Sequence, residues 1–219
     1  MRLPSRLAPR IAPSGRQQGA ALATVLFLML AVLMMSVSST RAALMAAKSA
    51  RVERDRHVAL AAAEAALFDA ERDIDGAAGP ASPRAAIFAL GDAGAFMEGC
   101  TGGAERTGLC RLVAAPGVPA WQATDLAGDR AVEYGRFSGR AMPTGAGLLP
   151  SRLPRYLVEL LTVPGAQPRY RITAIGFGAD AATVVVLQGY YARASGIAPG
   201  KRLGWREIAN WPELHRAAS

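Results

Sequence analysis

Glycine and proline are missing from residues 20–75, although the chain holds 23 glycines and 14 prolines. These are the two residues that a helix interior tolerates least. Their absence predicts one continuous helix across the window and excludes a chain reversal within it. The window closes at Asp75-Gly76, and glycine just past the last turn commonly ends a helix.

Charge is missing from residues 20–40, which read AALATVLFLMLAVLMMSVSST. About 20 such residues span the hydrocarbon core of a bilayer, so this stretch predicts a single transmembrane segment, the first part of the long helix. Residues 1–19 contain four arginines and no acidic residue. Basic residues before an apolar segment predict a cytoplasmic N-terminus and an exported remainder.

Catalytic motifs are also missing. The chain has two histidines, His57 and His215, and no Gly-x-Ser-x-Gly, His-Glu-x-x-His or phosphate-binding Gly-Lys-Ser/Thr sequence. Glu64 with Asp69 or Glu71 would make a carboxylate pair, but on so charged a helix surface we expect these side chains to be solvated. The sequence therefore predicts no enzyme, no cofactor and no metal site, with a membrane-tethered hydrolase as the alternative.

The net charge of +8 does not predict nucleic-acid binding. Residues 1–19 supply four of the positive charges, and the other arginines form no basic run or aromatic-flanked stripe. No nucleic-acid partner is expected.

Cysteine occurs only at Cys100 and Cys110. In an exported domain such a pair predicts a disulfide. Two free thiols are the alternative. A metal site would need further ligands, and no histidine or second cysteine pair lies nearby in the sequence.

Residues 41–75 of the predicted helix are amphipathic. Apolar residues recur at spacings of three and four, which makes one stripe, formed by Leu60, Ala63, Leu67, Ala70 and Ile74. The charged residues of this segment lie off the stripe: Glu64, Asp69, Glu71, Arg72 and Asp73. We predict that the stripe packs on a sheet. A coiled-coil stalk is the alternative, but the segment is short for one.

The rest of the chain divides into a variable, loop-rich region at residues 76–130, which holds the cysteines, and a sheet with a tail at residues 131–219. β-Branched and aromatic residues predict four strands: Ala131–Phe137, Tyr156–Val163, Tyr170–Phe177 and Thr183–Ala192. Turn residues at 165–168 and 178–180 favour antiparallel hairpins. The predicted class is α+β, with a long N-terminal helix packed on a C-terminal antiparallel sheet.

Two stretches, RQQGAALATVLFLMLAVLMMS and ERDRHVALAAAEAALFDAE, resemble the N-terminal region of PilX-type minor pilins of the type IV pilus. The segments RYLVELL, RYRITAIGFGAD and TVVVLQGYYAR resemble the C-terminal sheet of that family. The likeness covers residues 16–75 and 131–193, and we see none at 77–130. A Sec signal peptide is cut after a shorter apolar region. Here Gly19 directly precedes the apolar stretch, which resembles a prepilin signal.

The resemblance implies that prepilin peptidase removes the leader, residues 1–19, by cutting between Gly19 and Ala20, and that Ala20 is N-methylated. It implies a single-pass inner-membrane protein with a periplasmic C-terminal domain, later incorporated into the pilus. The fifth residue after the cut is Thr24, where major pilins carry a glutamate that is thought to pair with the N-terminal amine of a neighbour. Its absence suits a scarce initiating or tip subunit.

The partners that the resemblance implies are other minor pilins, the major pilin, prepilin peptidase and the inner-membrane assembly platform. A minor pseudopilin of type II secretion is the nearest alternative, but such proteins usually carry calcium ligands, and the sequence has no acidic cluster of that kind. A membrane-tethered adhesin or binding module is the other alternative. A large exposed apolar patch on the sheet would favour the adhesin.

Overall fold

A computed structural model describes residues 19–77, 79, 82–161, 168–194 and 198–218. The predicted leader, apart from Gly19, and residues 165–167 of one predicted turn lie outside these ranges. The chain divides into two compact units, Met1–Ala50 and Arg51–Ser219; we call the latter the C-terminal unit. The α-helices are α1 (Ala20–Ile74), α2 (Pro83–Leu90), α3 (Ala120–Ala123) and α4 (Trp211–Ala218). The strands are β1 (Leu109–Cys110), β2 (Val132–Glu133), β3 (Arg155–Leu161), β4 (Arg169–Phe177), β5 (Val184–Ala192) and β6 (Lys201–Glu207).

Helix α1 ends as the sequence predicts. Gly76 adopts a positive φ of 93°, a conformation that costs a glycine little. The amide of Ala77 donates a hydrogen bond of 2.9 Å to the carbonyl of Arg72. This is the outer bond of a Schellman cap, which satisfies a carbonyl that the helix would otherwise leave open. The prediction of a long uninterrupted N-terminal helix is confirmed.

The described residues of the first unit belong to α1, apart from Gly19. Their side chains are exposed, and the most apolar window of 18 residues in α1 has a mean hydropathy of 2.5. By length and composition this helix can cross a membrane.

In the described part of the C-terminal unit, six strands form one sheet in the order β1-β3-β4-β5-β6, with β2 also paired to β3. The neighbours from β3 to β6 are antiparallel, as predicted. Strand β1 is parallel to β3, with Leu109 opposite Val158. The sheet is therefore mixed, and the expectation of a wholly antiparallel sheet is corrected. The fold class, a long helix on a sheet, is confirmed.

Three predicted strands correspond to β3, β4 and β5. The strand predicted at Ala131–Phe137 was too long, because only the two residues of β2 form a strand there. The chain turns directly afterwards, at Gly135, which has a φ of 82°. A Cβ atom there would lie 1.9 Å from the carbonyl oxygen of Arg140, so the turn requires glycine. Strand β6 and helix α4 were not predicted.

The sheet is covered on both faces within the C-terminal unit. The α1 residues after Ala50 pack on the face that carries Tyr156, Ile172 and Leu187. The opposite face carries Leu157, Ile175 and Val186, and it packs against α3, α4 and the two cysteines. Inward and outward side chains alternate along each strand as the pleat requires.

Candidate functional site: the N-terminal helix and its attachment to the sheet

The first part of α1 keeps its hydroxyl groups bonded within the helix. Ser36, Ser39 and Thr40 each donate to a backbone carbonyl one turn earlier, at 2.8–2.9 Å. A hydroxyl that bonds its own helix needs no water. The helix surface is therefore suited to an apolar medium, whether lipid or other helices.

Thr24 lies near the start of α1 and is exposed. Its hydroxyl donates a hydrogen bond of 2.9 Å to the carbonyl of Ala21. The side chain carries no charge, so it offers no ionic partner to an ammonium group. Gly19 lies one residue before the helix with a φ of 133°, a backbone region that disfavours side chains.

The later part of α1 approaches the sheet most closely at Gly176 on β4. A Cβ atom at this glycine would lie 2.1 Å from the carbonyl oxygen of Ala59 and 2.3 Å from the amide nitrogen of Ala63. The close approach therefore requires glycine on the strand, and the alanines on the facing helix add little bulk. At the next contact, a Cβ at Gly189 on β5 would lie 3.1 Å from Leu67.

The predicted apolar stripe faces this contact. Ala63, Leu67, Ala70 and Ile74 are buried, whereas Leu60 is half-buried and packs against a smaller cluster. Because a buried leucine is stabilised by about 1.5–3 kcal/mol relative to an exposed one, the stripe accounts for much of the attachment of the helix.

A buried ion pair lies at the end of α1. The Arg84 guanidinium donates from Nε and Nη2 to the Asp73 carboxylate, at 2.8 and 2.7 Å, and both side chains are fully buried. Its Nη1 group donates to the carbonyls of Glu105 and Thr107. The Tyr156 hydroxyl donates to Asp73 at 2.9 Å. One arginine thus joins α1, α2 and the loop before β1, and the tyrosine adds β3.

The groups of this cluster alter one another's pKa values. Burial raises the pKa of the Asp73 carboxyl, and the neighbouring Arg84 opposes that shift. Burial, with the nearby Asp73 carboxylate, raises the pKa of the Tyr156 hydroxyl well above its usual value. The ring of Phe137 lies 3.8 Å below the Arg84 guanidinium, which adds a cation–π contact. The cluster depends on Arg84 because it is the cation that pairs with Asp73.

The expectation that Asp69 is solvated was wrong, and Asp73, which lies off the apolar stripe, is not in solvent either. Both are buried. Asp69 accepts hydrogen bonds from the Gly135 amide and from the Ser138 hydroxyl, so it fixes the turn after β2. A buried carboxylate needs such partners, and those of Asp69 lie too far along the chain for a helical pattern to reveal them.

Two further ion pairs connect α1 to β6. Arg202 binds Glu71 through two hydrogen bonds, and Arg56 binds Glu207 through two more. These pairs hold the helix over the last strand of the sheet. Glu71 was expected in solvent, but it is largely buried.

The structure joins Cys100 and Cys110 by a disulfide. Both residues are buried in the cluster on the sheet face opposite α1, and Cys110 belongs to β1. The bridge therefore fixes part of the loop-rich region to the edge of the sheet at β3.

Loss of this disulfide is expected to destabilise the C-terminal unit by about 3 kcal/mol on the chain-entropy model. A Cys100→Ala/Cys110→Ala variant should unfold at lower denaturant concentration while still inserting in the membrane. Alkylation of the native protein before and after reduction measures the bridge itself, and it should label both thiols only after reduction. Full labelling of native, unreduced protein would contradict the prediction.

The two histidines occupy ordinary positions. His57 lies 3.2 Å from Glu53 on the exposed side of α1, and His215 contacts the backbone carbonyl of Gln122. Within the described ranges, no group of three or more His, Cys, Asp or Glu residues is placed to hold a metal ion.

An exposed apolar helix that continues into a second part packed on a sheet defines a type IV pilin-like protein. Two family models match the chain: PilX N-terminal at residues 18–68, and type IV pilus assembly protein PilX, C-terminal, at residues 92–193. This chain belongs to the PilX-type minor pilins of the type IV pilus. Searches of curated proteins and of solved structures returned no match.

The matched ranges extend the resemblance seen in the sequence. The second model begins at residue 92, so it includes the disulfide and β1, where we saw no likeness. Both models describe components of the type IV pilus, which favours that system over type II secretion. Proteins of this family are structural parts of the pilus that interact with its other components.

Proposed function

We propose that this protein is a scarce subunit that initiates assembly of the pilus and occupies a position at or near its tip. The observation that supports this is Thr24, the fifth residue of the chain if cleavage follows Gly19. A carboxylate there would pair with the terminal ammonium of a neighbouring subunit, whereas the Thr24 hydroxyl is already bonded to Ala21. A subunit with no neighbour ahead of it does not need that carboxylate.

The same proposal places the protein in the inner membrane before assembly, crossing once through Ala20–Thr40. The arginines of residues 1–19 favour a cytoplasmic N-terminus. The disulfide suits a periplasmic C-terminal unit, because disulfides persist in oxidising compartments. The partners are prepilin peptidase, the assembly platform, other minor pilins and the major pilin.

Processing at Gly19 tests this proposal. Mass spectrometry of the mature protein is expected to find Ala20 at the N-terminus, and a Gly19→Leu variant should keep its leader and fail to restore pili in a null strain. Thr24→Val should restore them, because the proposed role needs only an uncharged residue at position five. A mature N-terminus near residue 40 would instead indicate a Sec-cleaved protein.

The tip position needs a separate measurement. The Thr24→Val gene is given an epitope tag after residue 218 and is expressed in the null strain. Immunogold labelling of the tag should then mark the ends of the fibres. Label spread along the fibre, at the density of a major subunit, would rule out the proposed position.

A further inference from the structure

The two edges of the sheet differ in the length of their outermost strands. At one edge, β3 is flanked by β1 and β2, which have two residues each. Very short edge strands are a common protection against unwanted strand pairing. The other edge is β6, which has seven residues. In the part of the chain that the structure describes, no strand pairs with its outer side.

The register of β6 shows which backbone groups are free. The amide of Ile208 donates to the carbonyl of Val186 at 2.9 Å. Backbone groups in an antiparallel pair point alternately toward and away from the neighbouring strand. Gly204 and Arg206 therefore bond toward β5, while the N–H and C=O groups of Trp205 and Glu207 point outward.

Apolar side chains surround this edge. Trp205 is 50% exposed, Leu203 is 52% exposed and Phe68 of α1 is 54% exposed. The Arg202 guanidinium lies 4.4 Å from the centre of the Phe68 ring while it binds Glu71. Trp205 and Phe68 thus present exposed apolar surface on the helix-facing side of β6, next to unpaired backbone groups. Leu203 lies at a register shift between Arg202 and Gly204, where β6 is irregular. On the other side of the strand, a Cβ atom at Gly204 would meet open space.

The chemistry of this edge specifies what fits it. Outward N–H and C=O groups in strand register are satisfied by another extended strand. Lys201 and Arg206 are exposed on this strand, and like charges directly opposite one another destabilise a strand pair. A partner strand with acidic residues is therefore favoured over a second basic strand.

We propose that β6 is a docking edge to which another component of the pilus adds an extended strand that carries acidic and apolar side chains. The inference rests on the proposed function, because it requires contact with other pilus components in the assembled or assembling fibre. The added strand would bond to the free groups of Trp205 and Glu207 and would cover Leu203 and the Trp205 ring.

The test is photo-crosslinking of the full-length protein in a piliated strain. A benzophenone amino acid replaces Leu203 in one strain and, as a control, Leu90 in another; Leu90 is 80% exposed and lies on α2. The expected adduct joins position 203 to another pilus subunit, and mass spectrometry should map it to an extended segment that contains aspartate or glutamate. Position 90 should give no such adduct.

Two variants then separate the contribution of the backbone amide from that of the positive charge. Trp205→Pro removes an outward amide that the bond to β5 does not use, so the fold should persist and the adduct should disappear. Trp205→Ala, its control, keeps the amide and should retain an adduct. Lys201→Glu should weaken the adduct by repelling an acidic strand without touching the backbone. Protease resistance of each full-length variant reports whether it is folded.

An adduct at position 203 no stronger than at position 90 would overturn the proposal. It would also fail if the adduct persisted in both Trp205→Pro and Lys201→Glu, or if it mapped to a helix or to a second copy of β6. Piliation separates this result from failure of the proposed function. If only the docking edge is wrong, the wild-type gene and Trp205→Pro both restore pili in the null strain; if the pilus role is wrong, neither does.

Discussion

Replacing Arg84 with methionine is expected to destabilise the C-terminal unit by about 3–5 kcal/mol, the cost of breaking a buried ion pair by removing one partner. The Asp73 carboxylate would stay buried with only the Tyr156 hydroxyl as a partner. Two backbone carbonyls would also lose their donor. Domain stability is typically about 5–15 kcal/mol, so the loss would remove a large share of it and lower the denaturant midpoint.

Denaturant unfolding of full-length protein in detergent measures this effect. The three tryptophans of the chain, Trp121, Trp205 and Trp211, all lie in the C-terminal unit, so their fluorescence follows that unit alone. Arg72→Met is the matched control, because Arg72 is exposed and lies on α1 directly before Asp73. An Asp73→Leu/Arg84→Met double variant should recover part of the loss, since it leaves no unpaired charge. Equal midpoints for Arg84→Met and Arg72→Met would refute the role of the pair.

Deleting Ala20–Thr40 and exporting the remainder with a Sec signal peptide is expected to abolish pili while the C-terminal unit still folds. The core of that unit is formed by residues after Ala50, and the deleted stretch is exposed throughout. Its apolar surface can be buried only by lipid or by other helices, so we expect it to be needed for anchoring and assembly and not for folding.

Tryptophan fluorescence and formation of the Cys100–Cys110 disulfide should be unchanged in the deleted form. Electron microscopy of a complemented null strain should show no fibres. The matched control replaces the same residues with polyleucine, which keeps the membrane anchor and tests whether the native surface of the segment matters for assembly. A truncated, folded protein that still restores pili would show that assembly does not use the apolar segment.

Local patterns allowed the helix and the central strands to be predicted from the sequence. The absence of glycine and proline defined α1, and β-branched runs defined β3, β4 and β5, because each of these signals lies within the element itself. Strand β6 was missed. Its sequence, KRLGWRE, is mostly charged, with apolar side chains only at Leu203 and Trp205. It is held as a strand by pairing with β5 and by ion pairs to α1.

The buried carboxylates escaped prediction for a related reason. Asp69 and Asp73 look like solvent-facing helix residues unless their partners are known. Arg84 is 11 residues from Asp73 and Tyr156 is 83 residues away, and no periodicity connects them. The one local hint is that Asp69 and Asp73 lie four residues apart and directly precede the stripe residues Ala70 and Ile74. That places both acids beside the buried face of the helix.

The ion pairs of α1 also have a consequence for the order of folding during synthesis. Glu71 can form its ion pair only after Arg202 has been synthesised, 131 residues later. Arg56 likewise needs Glu207, 151 residues later. Helix α1 is synthesised well before β6, the strand to which these ion pairs attach it. Contacts this distant form slowly, and an unpacked apolar face is prone to aggregation meanwhile. A ribosome that stalls before β6 would therefore leave a chain whose α1 lacks both ion pairs and whose packing face is open to aggregation.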